Sequence, residues 1–176
     1  MKKIIIAGMQ ESDNGIGFEN NILHHVRADM LRFTELTKGK STGNVVVMGS
    51  LTWKSLGEKY QPLPGRHNIV LSRKGGFEIP PGVMVFDNYK TAMNYAEKYA
   101  TEHSVDIYII GGQQIYEEAL LQGDVDKIEL TIFKGQSKKA DAFFPSYNNF
   151  TNVIKFTDGY DEKKNLHFTF LTLTKE

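Results

Sequence analysis

The stretch IYIIGGQQIYEEA, residues 107–119, decides the fold. An apolar, β-branched run stops at two glycines, and a helix-like stretch follows with no linker. Strand, tight turn and helix in immediate succession form the unit of an α/β sheet. Glycine costs backbone entropy, so Gly111 and Gly112 must bring a gain. One gain is close approach of a bound anion to the backbone and to the free N–H groups of a helix start. The other is a tight turn that packs helix on strand. The fuller G-x-G-x-x-G spacing is absent, so both readings stand.

Outward from this unit the same alternation repeats. KIIIAGM (3–9), NVVVMG (44–49), HNIVLS (67–72) and VMVF (83–86) are short apolar runs of buried-strand type. Helical spacing marks 27–38, with Met30, Phe33 and Thr37 on one face and Leu31 beside them, a short helix at 50–56, and 88–100, with Ala92, Tyr95, Ala96 and Tyr99 on one side. The strand before the glycine pair covers 105–110, and the helix after it runs to about Leu121. KIELTIF (127–133) and LHFTFLTLT (166–174) close the chain as strands. Residues 10–25 read as one long polar loop, and long loops in compact domains are often functional. The expected fold is α/β, a single mostly parallel twisted sheet with an antiparallel C-terminal edge. Gly49, Ser72 and Gly111 end three strands, and ligands of such sheets bind beyond the carboxyl ends of the strands.

The 176 residues suit a single domain, 1–176, with a sizeable core. Acids and bases balance at 21 each, which argues against a nucleic-acid partner. The chain has no cysteine, which excludes disulfides and thiol chemistry and fits a reducing, cytoplasmic setting. The first apolar run stops after Met9, too short for a secretory leader, and no stretch is long enough to span a membrane.

Nucleophile and metal motifs are absent: there is no G-x-S-x-G, no H-E-x-x-H and no Walker lysine. His24 and His25 are adjacent, so their side chains diverge; they read as solvated loop residues rather than a metal pair. Asp29 lies in the first turn of a helix. There it either complements the helix end or faces a cleft as an isolated acid. Ser72 and Arg73 follow a strand and suit a phosphate monoester, against the plainer reading of a solvated turn. Arg66 follows Pro64-Gly65, and the tight turn suits either a grip on a ligand carboxylate or a structural salt bridge.

Taken in order, NGIGFENNI (14–22), RADMLRF (27–33), VVVMGSLTWKSL (45–56), PLPGRHNIVLSR (62–73), YIIGGQQIYEEAL (108–120) and DAFFP (141–145) resemble the motifs of the dihydrofolate reductases. The likeness runs from Ile4 to about Phe170. It implies about eight strands flanked by about four helices, and reduction of dihydrofolate with NADPH by hydride transfer to C6 and protonation at N5. It implies a cis Gly111–Gly112 bond, with the adjoining helix start at the cofactor pyrophosphate. By the matching motifs Asp29 anchors the pterin, and Thr131 stands behind it. Ile6, Ala7, Met30, Phe33, Leu56 and Leu63 wall the pocket, and among these Asp29 is the sole ionisable group. Arg66 clamps the glutamate α-carboxylate. Gly8, Thr52, Ser72, Arg73, Gly111, Gly112, Gln113, Gln114, Ile115 and Tyr116 contact NADPH. The 15–22 loop, with Ile16, Gly17, Asn21 and Ile22, is a lid over the nicotinamide. The family default is a monomer without a resident metal.

Two departures stand out. Leu23-His24 replaces the usual Pro-Trp, and His24 keeps hydrogen-bonding capacity without the bulk. Ser50-Leu51 replaces a basic residue common after the Met-Gly pair, which leaves phosphate binding to Arg73 and Lys74. Two rival functions are a reductase of a ribosylated pyrimidine on the same fold and an inactive nucleotide-binding homologue.

Overall fold

Continuous β-branched runs form strands buried on both faces, and here they assemble into one sheet. The computed structural model describes residues 1–40 and 42–176. In chain order the elements are β1 (Lys3–Gln10), β2 (Gly15–Phe18), β3 (Asn21–Ile22), α1 (Arg27–Lys38), β4 (Val45–Gly49), α2 (Ser50–Ser55), β5 (His67–Leu71), β6 (Met84–Phe86), α3 (Tyr89–His103), β7 (Ile107–Gly111), α4 (Gln113–Gln122), β8 (Lys127–Lys134), β9 (Ala142–Phe143), β10 (Asn152–Asp161) and β11 (Leu166–Thr174). A 3₁₀ turn, Glu58–Tyr60, follows α2.

The eight-stranded sheet has the order β10-β11-β8-β1-β7-β4-β5-β6. Strands β8 to β6 in that order pair in parallel, and β11 and β10 add an antiparallel edge. This is the expected α/β architecture. Alternate residues of one strand serve opposite faces. Val45 and Val47 join Ile5, Ile107, Ile109 and the alanine face of α3 in one cluster. Val46 and Met48 join Ile4, Ile6, Trp53 and Leu63 on the other face, where Phe33 and Leu36 of α1 pack. The ends of α3 follow from local chemistry. Asn88 Oδ1 accepts the Thr91 amide at 2.9 Å to start α3, and Ser104 in the left-handed region ends it, so this helix runs three residues past the expected 100.

One expectation is corrected, and one strand has no counterpart in the sequence reading. Residues 10–25 are not one irregular loop: β2 and β3 form a hairpin, and β9 adds to it as a second, three-stranded sheet. The 152–161 strand, β10, carries almost no buried residue, so no apolar alternation announces it.

Candidate active site

β1 and β8 lie side by side, with Gly8 opposite Thr131. Helix α1 crosses this end of the sheet and presents Asp29 from its first turn. Asp29 is the acidic residue of the first turn of α1, but its carboxylate makes no capping hydrogen bond there. Instead Thr131 Oγ1 donates to Asp29 Oδ1 at 2.5 Å. Burial pushes the Asp29 carboxyl above its ordinary value, and the Thr131 bond and the Arg32 charge only partly oppose this. Arg32 is engaged elsewhere. Its guanidinium donates to Glu129 Oε2 at 2.5 Å, and that buried carboxylate also takes Lys127 at 2.8 Å and the Thr172 hydroxyl at 2.6 Å.

Beside Asp29 lies a cavity of about 60 Å³, with Gly8, Ile16, Ile22, His24 and Phe133 among its walls. A Cβ on Gly8 would stand 3.0 Å from the Phe133 ring and 3.6 Å from Asp29 Oδ2, so glycine keeps this side of the carboxylate clear. His24 is not a solvated loop residue. It is 4% exposed, its ring lies 5.0 Å from that of Phe133, and it makes a second ionisable group beside Asp29. His25 is the exposed one of the pair.

Further along α1, Phe33 and Leu36 join Leu56 and Leu63 against the cluster that holds Ile6. Met30 is largely exposed, and Ala7 packs into the cluster on the opposite face. Arg66 closes this wall. Its Nε donates to the Pro64 carbonyl at 3.0 Å, a terminal nitrogen donates to Thr37 Oγ1 at 2.9 Å, and its guanidinium lies 6.0 Å from the centre of the Phe33 ring. No acidic partner holds it among the described residues, so the salt-bridge alternative fails. Asn68 sets the turn: its Oδ1 accepts the Leu63 amide at 2.9 Å, and its Nδ2 donates to the Leu63 and Arg66 carbonyls at 3.0 and 2.9 Å. Asp29 and Thr37 are separated by residues 29–37 of one helix, about 12 Å at 1.5 Å per residue. The wall thus carries an acid at one end and a guanidinium at the other.

Across β1, the Gly111–Gly112 bond is cis. Gly111 has φ +112°, and a Cβ there would lie 3.0 Å from the Tyr116 ring. Tyr116 is buried beneath the pair and donates its hydroxyl to the Ile6 carbonyl at 2.8 Å, which ties α4 to β1. No side chain caps the start of α4. Thr52 Oγ1 would be 3.4 Å from a Cβ on Gly112, and Ile115 packs close to Gly49. Gln114 is exposed, whereas Gln113 donates to Glu117 at 2.7 Å and accepts the Phe143 amide at 2.8 Å. Ser72 Oγ accepts the Gly75 amide at 3.2 Å, and Arg73 is exposed without an ion pair among the described residues.

The 15–22 segment lies over the cavity. Gly17 pairs with Ile22, and its carbonyl accepts the Asp141 amide at 3.0 Å. Glu19 N–H donates to Asp141 Oδ2 at 3.0 Å, Phe144 N–H to the Asn14 carbonyl at 2.8 Å, and Asn21 Nδ2 to the Glu19 carbonyl at 3.0 Å. Residue types alone did not disclose the burial of His24 or the turn that Asn68 holds. Adjacent histidines and scattered amides have no periodicity. Among the described residues no cluster of three or more acids and histidines could hold a metal, and no helix is long and apolar enough to cross a membrane.

Fold and site define a doubly wound α/β protein whose cleft opens at the carboxyl ends of its central strands. The family model for dihydrofolate reductase matches residues 3–175. Dihydrofolate reductase of Drosophila melanogaster is 32% identical over 92% of this chain and 91% of its own length. That of Heliothis virescens is 35% identical over 75% of this chain and 73% of its own. Bifunctional dihydrofolate reductase-thymidylate synthase of Glycine max is 30% identical over 98% of this chain, which spans 33% of that longer protein. The chain belongs to the dihydrofolate reductase family.

Proposed function

We propose that this chain is an NADPH-dependent oxidoreductase that reduces 7,8-dihydrofolate to 5,6,7,8-tetrahydrofolate, acting as a single-domain monomer in the cytoplasm. The observation that carries this reading is the wall between Asp29 and Arg66. A carboxylate held by Thr131 suits the 2-amino group and N3 of a pterin, and a guanidinium with no acidic partner suits the carboxylate of the glutamate tail. The apolar stretch between them, from Ile6 to Phe33, Leu56 and Leu63, takes the rings. Met30 borders this wall, and Ala7 acts through the backbone of β1.

The cofactor side fits as well. The glycine pair lets Tyr116 and Thr52 close on the backbone at the start of α4, that start is uncapped, and Arg73 is exposed and suits a phosphate dianion. Gly8, Thr52, Ser72 and residues Gly111 to Tyr116 complete that side, and the lid residues Ile16, Gly17, Asn21 and Ile22 cover it. NADPH, when bound, supplies the hydride for C6. Asp29 favours the protonated pterin, and its raised affinity for a proton suits that task. The lid excludes bulk water.

Oxidation of NADPH on addition of dihydrofolate, followed by absorbance, tests the reading. Turnover with dihydrofolate supports it. Turnover only with a ribosylated pyrimidine, or cofactor binding without turnover, overturns it.

A further inference from the structure

Helix α1 is keyed to the sheet at two points, and only one of them holds Asp29. Thr131 and Glu129 are alternate residues of β8, so both side chains rise from the same face. Asp29 and Arg32 stand one helical turn apart on α1, so they too share a face. Thr131 takes Asp29, and Glu129 takes Arg32. The register of the sheet extends the second point. Ile6 of β1 and Thr172 of β11 lie opposite Glu129, and Phe170 of β11 lies opposite Thr131. The Arg32 guanidinium is held from two sides: its carbon lies 4.8 Å from the centre of the Phe170 ring, and a terminal nitrogen lies 2.5 Å from Glu129 Oε2.

Glu129 is 3% exposed, and a carboxylate so buried is tolerated only when it is paired. Besides Arg32 it has Lys127 on Oε1 and the Thr172 hydroxyl on Oε2. Among the described residues Glu129 is the one acid paired with Arg32. The other groups whose charge bears on Arg32 are Asp29, one turn away, and the Tyr108 hydroxyl of β7, whose pKa is pushed up to about 12 and which is therefore neutral at neutral pH. Asp29 in turn is faced by Thr131 of β8, Arg32 of its own helix, His24 across the cavity and the buried Tyr116 of α4. Burial keeps His24 and Tyr116 uncharged at neutral pH. A guanidinium stays protonated throughout, so Arg32 is the one cation in this set. A cation without a counter-charge, one turn from an acid, draws that acid into its ionised form.

We propose that Glu129 is a positioning residue for the reduction: it holds the Arg32 guanidinium over Phe170, so that this cation is committed before it can pair with Asp29, the acid that anchors the pterin. This rests on the dihydrofolate-reducing reading. Glu129 acts only through Arg32. With Arg32 committed, Asp29 keeps an oxygen open to the cleft and its raised affinity for a proton. An Arg32 turned toward Asp29 would cover the first and cancel the second.

Three variants separate this role from plain support of α1. Glu129→Gln keeps the shape and removes the charge, Arg32→Met removes the cation, and the double variant removes both. Each is first checked for folding by thermal unfolding. Single-turnover hydride transfer is then followed against pH, and the Asp29 carboxyl is titrated by carbon-13 NMR in the ligand-free protein. In Glu129→Gln the Asp29 titration should move down by about one pH unit. Hydride transfer at neutral pH should be about tenfold slower, with the deficit closing in acid and the dissociation constant for NADPH unchanged. Arg32→Met should titrate at or above wild type and keep its rate within about threefold. The double variant should match Arg32→Met in both readouts. A loss in Glu129→Gln that is independent of pH, or that removal of Arg32 does not relieve, overturns the proposal, because support of the helix alone behaves that way. If Glu129→Gln does not fold, Arg32→Met decides: an Asp29 titration that holds or rises supports the proposal, and one that falls overturns it. A wild type that never oxidises NADPH with dihydrofolate overturns the functional reading and this role with it. An active wild type with an unmoved Asp29 titration in Glu129→Gln overturns the role alone.

Discussion

Asp29→Asn is the most demanding test of the site, because it removes a charge and little else. The amide keeps an oxygen to accept the Thr131 hydroxyl, which now donates to Asp29 Oδ1 at 2.5 Å. What disappears is the ability to favour a protonated pterin. General acid-base help is worth about 10²- to 10⁴-fold. That range corresponds to about 3 to 5 kcal/mol of transition-state stabilisation, so kcat/KM at neutral pH should fall by that factor. NADPH affinity should not change. In acid the gap should narrow, since substrate protonated in solution no longer needs the carboxylate. Stability should move the other way. The folded-state pKa of Asp29 is raised above its ordinary 3.8, so the folded protein binds this proton more tightly than the unfolded chain does. The contribution of Asp29 is most favourable below the unfolded value and is lost as pH rises through the folded one. At neutral pH the Asn variant should therefore melt at a higher temperature than wild type, and the difference should close as pH falls toward 3.8. Initial rates of NADPH oxidation across pH and thermal unfolding in the same buffers measure both. A near-wild-type rate at neutral pH, or a rate deficit that persists unchanged in acid, refutes the assigned role.

Arg73→Ala should raise KM for NADPH about tenfold or more and leave NADH use nearly unchanged, because the two cofactors differ by the phosphate dianion that Arg73 would hold; equal losses with both would remove that assignment. Arg66→Leu should weaken dihydrofolate binding by about 2 to 5 kcal/mol and barely affect reduction of a pterin without the glutamate tail; a loss common to both substrates would make Arg66 structural. Asn68→Leu deletes three hydrogen bonds that shape the Leu63–Arg66 turn. At about 0.5 to 1.5 kcal/mol each, urea unfolding should show a loss of about 1.5 to 4.5 kcal/mol. KM for dihydrofolate should rise in the same variant, and an unchanged KM would show that the turn does not position Arg66.

The parallel strands could be read from residue types because their burial is local information. Val45, Val46, Val47 and Met48 are all 0% exposed, so both faces of β4 demand apolar residues and the run is unbroken. The outer strand β10 meets no such demand, and Val153, Ile154 and Phe156 lie exposed among polar neighbours. The lid hairpin escaped notice for another reason: its partner, Ala142–Phe143, is two residues long and far along the chain. Asp29 illustrates the limit within the site. Its position in a first turn favours a helix-end role, and only the fold brings Thr131 to it from 102 positions away. His24 is similar, because Phe133 and Gln10 decide its burial. Motif resemblance, not local physics, is what groups Asp29 and Arg66 as one expected site.

The seating of the lid on the 141–144 segment has a kinetic consequence. Opening must sever at least the Asp141-to-Gly17, Glu19-to-Asp141 and Phe144-to-Asn14 bonds. Three such bonds together hold about 1.5 to 4.5 kcal/mol. The 15–22 hairpin is thus fastened to the 141–144 segment by bonds that any opening must break. Phe143, which belongs to the same segment, also hangs by its amide from Gln113 at the head of α4. One two-residue strand, Ala142–Phe143, thus joins the 15–22 hairpin to the head of α4.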